Sequence, residues 1–242
     1  MAVNVVRDAK LYLGARDLTG DLNAVALNYS AEALEVTRLG DNTRKKIGGL
    51  KGVTVNAEGF VDPATSDEYL FNRIAAVAEA VTIGKDGGAA GDPAFIFQAS
   101  AAGYNPVGGA VGEVVKFSFD AEASDSDLVD ATILHTAAAT TASGSSTPQN
   151  LGAVLSTEKL YATLHAFAAS AADTLDIIIE SDVDAGFASP TTRATFTQIT
   201  AAAGEWITPV VGPITDTWWR ISWTIAGTSP SFDFVVAMGI QE

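Results

Sequence analysis

The sequence contains no cysteine, only two histidines and no long apolar segment. Without cysteine, disulfide scaffolds, thiolate nucleophiles and cysteine-ligated zinc sites are excluded. No apolar run approaches the roughly 20 residues that a membrane-spanning helix needs. The first ten residues, MAVNVVRDAK, lack the apolar stretch behind a basic start that marks a signal peptide. Together these absences predict a soluble protein with no membrane partner, made and assembled in a cytoplasm.

Positive charge is also scarce. Fourteen Lys and Arg residues face 29 Asp and Glu residues, for a net charge of −15. A phosphate-binding surface needs a positive footprint, so this balance argues against nucleic-acid binding. Ten of the fourteen basic residues lie at or before Lys85, beside eleven acids, and only four lie beyond it, against eighteen acids. Either acidic loops keep the second half soluble, or a basic segment of one copy meets an acidic surface of another.

What the chain does contain is a series of strand patterns with period-two alternation and turn residues between them. These patterns predict an all-β protein with one flanking helix, arranged as two β-sandwich or barrel-like domains, 1–125 and 126–242. The small, polar segment 137–150 is predicted to be a flexible linker or a long hairpin tip. The predicted strands are 9–14, 24–30, 34–39, 53–60, 94–99, 111–122, 159–167, 175–180, 193–200, 205–211, 217–225 and 231–240.

The helix is predicted at about 66–82. Ser66 is a suitable N-cap, and the two acids that follow it suit the positive end of the helix dipole. From Leu70 to Val81, with Ile74 and Val77 between them, apolar residues recur on one helical face. This amphipathic pattern predicts a helix that packs against a sheet.

Residues for catalysis are few. His135 and His165 both lie within strand patterns among small or apolar neighbours, where ordinary sheet histidines are commoner than bases or ligands. The S-x-x-K match at 156–159 precedes a strand and lacks its companion motifs. The glycine-rich stretches KDGGAAGDP and NPVGGAVGE fit no phosphate-binding pattern. We therefore expect a protein that is not an enzyme and has no cofactor.

Two acidic clusters are candidates for calcium because carboxylates are its preferred ligands. One follows a strand and contains Glu180, Asp182 and Asp184; the other contains Asp125, Asp127 and Asp130. Neither has the EF-hand spacing, so solvated turns are the expectation. Trp218, Trp219 and Trp223 raise a different alternative, a glycan-binding platform. Alternation places Trp219 and Trp223 on one face of a strand and Trp218 on the other, so a core position for one face and an interface for the other is the ordinary interpretation.

The most informative segment is AEALEVTRLGDNTRKK, residues 31–46, which is flanked by strands and followed further on by a helix pattern. It resembles the N-terminal half of major tail tube proteins of siphophages. The second half, notably LYATLHAF and GPITDTWWRISWTIAGTSPSF, resembles other phage virion proteins. The resemblance implies a tube-type fold with an extended loop, here at about 38–49, that reaches from one ring to the next. It assigns inter-ring contacts to Arg38, Leu39, Gly40, Asp41, Asn42, Arg44, Lys45 and Lys46.

By the same resemblance, the protein is a structural component of the virion tail whose rings stack into the channel for genome ejection. Its implied partners are other copies of itself, the tape measure, terminator and distal tail proteins, and DNA that passes without specific binding. Tube proteins of this family form hexamers from one tube domain per chain, whereas this chain is predicted to hold two β domains. The ring then has three copies, or six if the second domain decorates the outside. Capsid or tail decoration and glycan binding are the alternatives.

Overall fold

The protein is described by a computed structural model that covers residues 8–62, 66–76 and 78–242. The strands are β1 Lys10–Leu13, β2 Arg16–Asp17, β3 Leu22–Glu35, β4 Lys46–Phe60, β5 Glu79–Gly84, β6 Pro93–Gly108, β7 Lys116–Ala123, β8 Val129–His135, β9 Ala139–Thr140, β10 Gly144–Ser145, β11 Gln149–Asn150, β12 Lys159–Ala169, β13 Thr174–Asp182, β14 Thr191–Thr195, β15 Ala203–Trp206, β16 Val210–Val211, β17 Trp218–Ala226 and β18 Phe232–Gln241. One α-helix in these ranges, α1 Ser66–Arg73, accompanies a short 3₁₀ turn at Thr19–Asp21. The prediction of an all-β protein with one helix is confirmed. No helix in the described ranges has the length and apolar character to cross a membrane.

Residue contacts divide the chain into two compact units. The arm unit comprises Asp21–Val77 and Ala99–Leu128, and the sandwich unit comprises Met1–Gly20, Ala78–Gln98 and Val129–Glu242. Strand β6 therefore begins in the sandwich unit and ends in the arm unit. The predicted domains 1–125 and 126–242 divide the chain at a single point, and their independent folding stays a prediction.

The sandwich unit contains two sheets. The larger has the strand order β15-β12-β18-β8-β6-β5-β1-β2, and the smaller has the order β10-β17-β13-β14. The larger sheet curls back on itself, because a Cβ added to Gly204 in β15 would lie 2.4 Å from Gly14 Cα in the turn after β1. The result is a nearly closed, barrel-like sheet with a second sheet packed on its outside.

Two apolar cores follow from this arrangement, and β18 lies between them. Phe234 and Val236 enter the core between the two sheets, where they meet Trp219 of β17. Val235 and Ala237 point to the barrel interior. Since both faces are covered, the strand reads as a continuous apolar run, and each fully buried large side chain contributes about 1.5–3 kcal/mol.

The sheet of the arm unit has the order β3-β4-β7-β6, in which β6 contributes its second half. One face is apolar and buried, with Val53 and Val55 of β4 beside Phe117 and Phe119 of β7. The hydroxyl of Tyr104 in β6 donates a hydrogen bond to Asp67 of α1 at 2.5 Å. This bond holds the helix to the sheet, and Leu70 of the predicted apolar stripe is fully buried, whereas Ile74 is 42% exposed.

The predicted helix at 66–82 is too long. Helix α1 ends at Arg73, and φ angles of 66° at Ala75 and 63° at Ala78 take the backbone out of helical geometry. Residues 79–84 form β5, in which Val81 pairs with Leu13 of β1. Apolar residues at helical spacing also occur in buried strands. Over this short segment the apolar periodicity therefore gave the wrong secondary structure. Val77 lies outside the described residues.

The strands around the basic segment are longer than predicted. Predicted strands 24–30 and 34–39 are one strand that ends at Glu35, and β4 begins at Lys46. The loop predicted at about 38–49 therefore occupies residues 36–45. Residues 137–150 are neither a free linker nor a hairpin tip, because β9 pairs with β18 while β10 and β11 pair with β17.

Candidate assembly surface

The β3–β4 hairpin extends well beyond the sheet to which it belongs. Pairing between β4 and β7 ends at Thr54, whereas pairing between β3 and β4 continues to Glu35 and Lys46. We name residues 30–52 the arm. All of them are exposed except Asp41 and Gly49, which are half-buried. The arm is thus a two-stranded ribbon with both faces in solvent, an arrangement that is marginally stable by itself in water.

The arm carries large apolar side chains with no cover. Leu39 at its tip is fully exposed, and Leu50 is 81% exposed. Leu34 and Ile47 form a cross-strand pair, and both remain about half exposed. Contiguous exposed apolar surface of this kind is typical of protein-binding sites. The arm therefore has the exposed apolar side chains that are typical of a protein-binding surface.

The tip of the arm is an ordered turn. The carboxylate of Asp41 accepts a hydrogen bond from the backbone N–H of Arg38 at 2.9 Å and from Lys45 Nζ at 2.6 Å. These contacts hold the pKa of the Asp41 carboxyl below its ordinary value, with the Lys45 bond as the larger cause. The hydroxyl of Thr37 accepts from the Lys45 backbone N–H at 3.0 Å. Asp41 and Lys45 therefore shape the tip.

The eight residues predicted as inter-ring contacts all lie at this tip, from Arg38 to the first residue of β4. Within the described residues, Arg38, Arg44 and Lys46 form no ion pair, so their charges face outward with Leu39. Lys45 differs because its ammonium forms an ion pair with Asp41. The role of these residues between rings is not tested by the fold and stays a prediction.

Charge is segregated within the arm unit. The arm holds five basic residues and three acids, whereas the rest of the unit holds two basic residues and ten acids. Opposite charges on separate parts of one surface favour contact between copies and oppose contact between like parts. The arm is therefore complementary to acidic surfaces of other copies.

One edge of the arm-unit sheet is open. In the described part of the chain, β3 pairs with β4 alone and has no strand on its other side. An edge of fourteen residues with unpaired backbone donors and acceptors is a template for pairing with another chain.

The exposed face of the arm-unit sheet is polar and mostly acidic. Glu58 of β4 lies opposite Ser118, and Asp120 and Glu122 of β7 lie opposite Asn56 and Thr54. The three carboxylates are exposed. Lys116, at the end of β7, is the one cation on this face of β4 and β7. We name this the acidic face.

The tryptophans do not form an exposed platform. Trp219 is fully buried, and its indole N–H donates to the Gly152 carbonyl at 2.8 Å. Trp223 packs against the inter-sheet core and contacts Phe234 edge to face, as alternation predicted for the face that it shares with Trp219. Trp218 alone lies on the other face. A glycan-binding surface that needs Trp219 is therefore contradicted.

The first acidic cluster is divided among separate partners. Glu180 pairs with Arg220 at 2.9 Å, Asp182 accepts from the backbone N–H groups of Val183 and Ser189, and Asp184 accepts from that of Gly186. In the second cluster, Asp127 pairs with Lys51 and Asp130 with Lys85, while Asp125 has a φ of 56°. The described residues hold no group of three or more ligands placed for a metal ion.

Both histidines serve packing. His165 is fully buried in the barrel interior, and His135 stacks on Phe234 with ring centroids 4.1 Å apart. Sequence reasoning missed a further exposed feature, the loop after β6. Val111 at its tip is fully exposed, and Val107 and Val114 are 73% and 65% exposed. The strand predicted at 111–122 begins only at Lys116, and the turn before it contains Gly109 and Gly112 of the stretch NPVGGAVGE, which was predicted to be a turn.

Comparison with known proteins gives no family assignment. No family model matches the sequence, and no curated protein does. Solved structures with similar chains include the following three. A chain of the native gene transfer agent virion is 14% identical, with a TM-score of 0.42 over 52% of this chain and 98% of that chain. The Dit protein of phage SPP1, a hub of the adsorption apparatus, is 13% identical, with a TM-score of 0.38 over 98% of this chain and 100% of that chain. A chain of the PVC extracellular contractile injection system sheath–tube complex is 14% identical, with a TM-score of 0.41 over 53% of this chain and 92% of that chain. TM-scores at this level do not establish a shared fold, so these likenesses support no statement about function.

Proposed function

We propose that this chain is a structural subunit of a phage tail, and specifically a major tail tube protein whose rings stack into the channel for genome ejection. The observation that carries the proposal is the arm, a ribbon that is exposed on both faces and ends in an ordered, basic tip. A monomer gains nothing from ordering such a ribbon, since a two-stranded hairpin alone is marginal in water. A neighbouring ring that covers Leu39 and Leu50 supplies the missing stabilisation.

The open edge of β3 supports ring formation. Pairing of this edge with a second copy satisfies its backbone groups and joins the arm-unit sheets of neighbours into a continuous wall. Such contacts close into a ring when the rotation between copies closes, whereas the arm makes a head-to-tail contact that propagates. The arm unit thus contains both the edge strand proposed to form the ring and the arm proposed to connect stacked rings. Three or six copies per ring remain the alternatives, depending on whether the second β domain joins the wall or decorates the outside.

The acidic face supports the role of a channel. Glu58, Asp120 and Glu122 would line a lumen with negative charge, and phosphate groups of passing DNA are repelled by it. DNA then slides without a specific contact, which a strongly acidic protein cannot provide in any case.

The proposed role is non-catalytic and needs no cofactor. Besides other copies of itself, the proposed partners are the tape measure, terminator and distal tail proteins, with assembly in the host cytoplasm and residence in the virion tail. Decoration of a capsid or tail is the alternative that does not require tubes.

Negative-stain electron microscopy of the purified chain across a range of concentrations, with light scattering on the same samples, tests the proposal. Hollow rings or stacked tubes are expected, and the number of subunits per ring decides between three and six. A protein that stays monomeric at the highest concentrations, even with preformed tail tips added as initiators, would contradict the tube function and favour decoration.

A further inference from the structure

A second acidic feature lies in the sandwich unit, away from the arm. A cavity of about 440 Å³ has a lining that includes Asp8, Lys10, Tyr12, Asp17, Asp86 and Asp92. This volume is in the range of small-ligand pockets. Four carboxylates and the ammonium of Lys10 face this cavity. Lys10 Nζ is already paired with Asp8 at 2.5 Å. We name it the acidic pocket.

Some carboxylate oxygens of the acidic pocket accept no hydrogen bond from the described residues. Asp17 accepts from the backbone N–H of Thr19 at 2.9 Å, and Asp92 accepts from that of Ala89 at 2.8 Å. Each of these bonds leaves a second oxygen available. Asp86 is exposed at the rim and makes no hydrogen bond or ion pair within the described residues. The pocket therefore keeps acceptor capacity and net negative charge.

The floor of the pocket provides an independent sign of a ligand. Tyr12 is 2% exposed, yet among the described residues its hydroxyl makes no hydrogen bond. The hydroxyl points towards the loop at Gly88, where a Cβ would lie only 2.7 Å from its oxygen. A side chain at that position would fill the space in front of the hydroxyl. A hydroxyl that opens to a cavity, on an otherwise buried side chain and without a hydrogen bond in the described residues, is placed to bind a ligand.

The local potential selects a cation. Burial is the main cause of the raised pKa of Tyr12, and the carboxylates of Asp17, Asp8 and Asp233 add to it. The carboxyl of Asp233 itself has a raised pKa, first from burial and then from Asp17. These shifts indicate uncompensated negative charge around the hydroxyl. A guanidinium suits this setting because it offers several donors in a plane to carboxylate and hydroxyl acceptors.

We propose that the acidic pocket receives an arginine from the arm tip of a second copy, either Arg38 or Arg44, so that the arm docks on the sandwich unit of a neighbour. This inference rests on the proposed function, because it identifies the surface on which the arm assembles. The arm is chosen on its charge: both arginines are outward-facing and form no ion pair within the described residues, and the tip turn is preformed by Asp41 and Lys45. Leu39 beside them supplies an apolar contact at the pocket rim.

Chemical cross-linking of the full-length chain tests the docking, since the absence of native cysteine makes any introduced thiol unique. Two chains of different mass are mixed, one with Asp86→Cys and the other with Thr43→Cys, an exposed tip position that leaves Arg38 and Arg44 in place, and are treated with a short bismaleimide. The matched control replaces Asp86→Cys with Asp184→Cys, an exposed acid of the same unit that does not line the pocket. We expect a mixed dimer with Asp86→Cys well above the control. Tyr12→Phe, which keeps the ring and removes the hydroxyl, is expected to lower the yield by about tenfold, the effect of losing a hydrogen bond to a charged group.

Microscopy of the wild-type chain in parallel separates the two proposals. Tubes with no mixed dimer above control would overturn the pocket contact and leave the tube function in place. A mixed dimer without rings or tubes would support the pocket contact and contradict the tube function. The absence of both the mixed dimer and the tubes would contradict both proposals. A mixed dimer that Tyr12→Phe leaves unchanged would contradict the part assigned to the hydroxyl.

Discussion

At the scale of single residues, His165 explains how a polar side chain is accommodated in the barrel interior. Its Nδ1–H donates to the Gly14 carbonyl at 2.8 Å, and its Nε2 accepts from the Thr82 hydroxyl at 2.8 Å. The Thr82 oxygen in turn accepts from Thr163 at 2.7 Å. Every member of this chain is satisfied only when the imidazole is neutral, so the network joins β12, β5 and the turn after β1 without a charge.

This network predicts a pH dependence. Burial lowers the pKa of His165 from 6.5 to about 4. Between these values the unfolded chain binds a proton that the folded chain does not, so the free energy of unfolding falls as pH falls, by about 3 kcal/mol in total. Urea unfolding at a series of pH values from 7.5 to about 4 measures this slope.

The variants for this test separate the histidine from the carboxylates. His165→Gln is expected to lose most of the slope between pH 6.5 and 4, whereas Thr82→Val is expected to be less stable at every pH, by about 1–3 kcal/mol, and to keep the slope. Identical slopes in the wild type and His165→Gln would contradict the assignment.

At the scale of elements, closure of the barrel depends on a close backbone contact. A Cβ on Gly204 would meet Gly14 Cα, C and O within 2.4–2.6 Å. Gly204→Ala is therefore expected to lower stability by about 1–3 kcal/mol, since backbone must move. Gly20→Ala is the control, because that position has no atom within 4 Å of the added carbon. Thermal unfolding of both variants makes the comparison, and equal midpoints would contradict the contact.

The arm is predicted to be dispensable for folding and required for assembly. Ala31 and Lys51 are paired across β3 and β4, so a two-residue Asn-Gly turn can join them in place of residues 32–50 and keep the ion pair between Lys51 and Asp127. The trimmed chain is expected to unfold at the wild-type temperature, because the arm contributes no buried side chain, and to form no tubes by electron microscopy.

A single substitution gives a milder version of the same test. Leu39→Ser is expected to weaken assembly in light scattering, because the fully exposed leucine loses its apolar contact with the neighbouring copy. Val183→Ser, at a 68% exposed position of the sandwich unit, is the matched control and should assemble normally. Equal loss of assembly in both would show that the effect is not specific to the arm.

At the scale of the whole molecule, the net charge of −15 leads to a prediction about the assembled tube, in which the acidic face is proposed to line the lumen. Asp120→Lys with Glu122→Lys is expected to leave tubes intact and to make them retain double-stranded DNA in low-salt sedimentation, because lysines then face the phosphates. Asp184→Lys with Glu242→Lys makes the same change in net charge elsewhere and should not retain DNA. Retention by the control, or none by the first variant, would contradict the placement of the acidic face in the lumen.

The sequence by itself determined the class of the fold and the place of the arm. Alternation marked most strands because one-sided burial leaves a period-two pattern, and β12, β13, β17 and β18 were located within a few residues. The tip was visible as a polar, basic segment between two strands, whereas its inter-ring role was implied only by the resemblance and stays a prediction. Trp219 and Trp223 were placed on a common face for the same reason of alternation, and the prediction of a core position for one face of this strand agrees with the buried Trp219.

Only the tertiary structure decided what each segment pairs with and what each side chain meets. Strand β5 was mistaken for helix because its burial on both faces comes from partners distant in sequence. The acidic pocket joins residues 8–17, 86–92 and 136–137, which no local pattern connects. Likewise, Lys45 resembled its basic neighbours in the sequence, and only the folded turn assigned its charge to Asp41. Local pattern records burial along one element, whereas pairing and the position of charge depend on contacts between elements far apart in the chain.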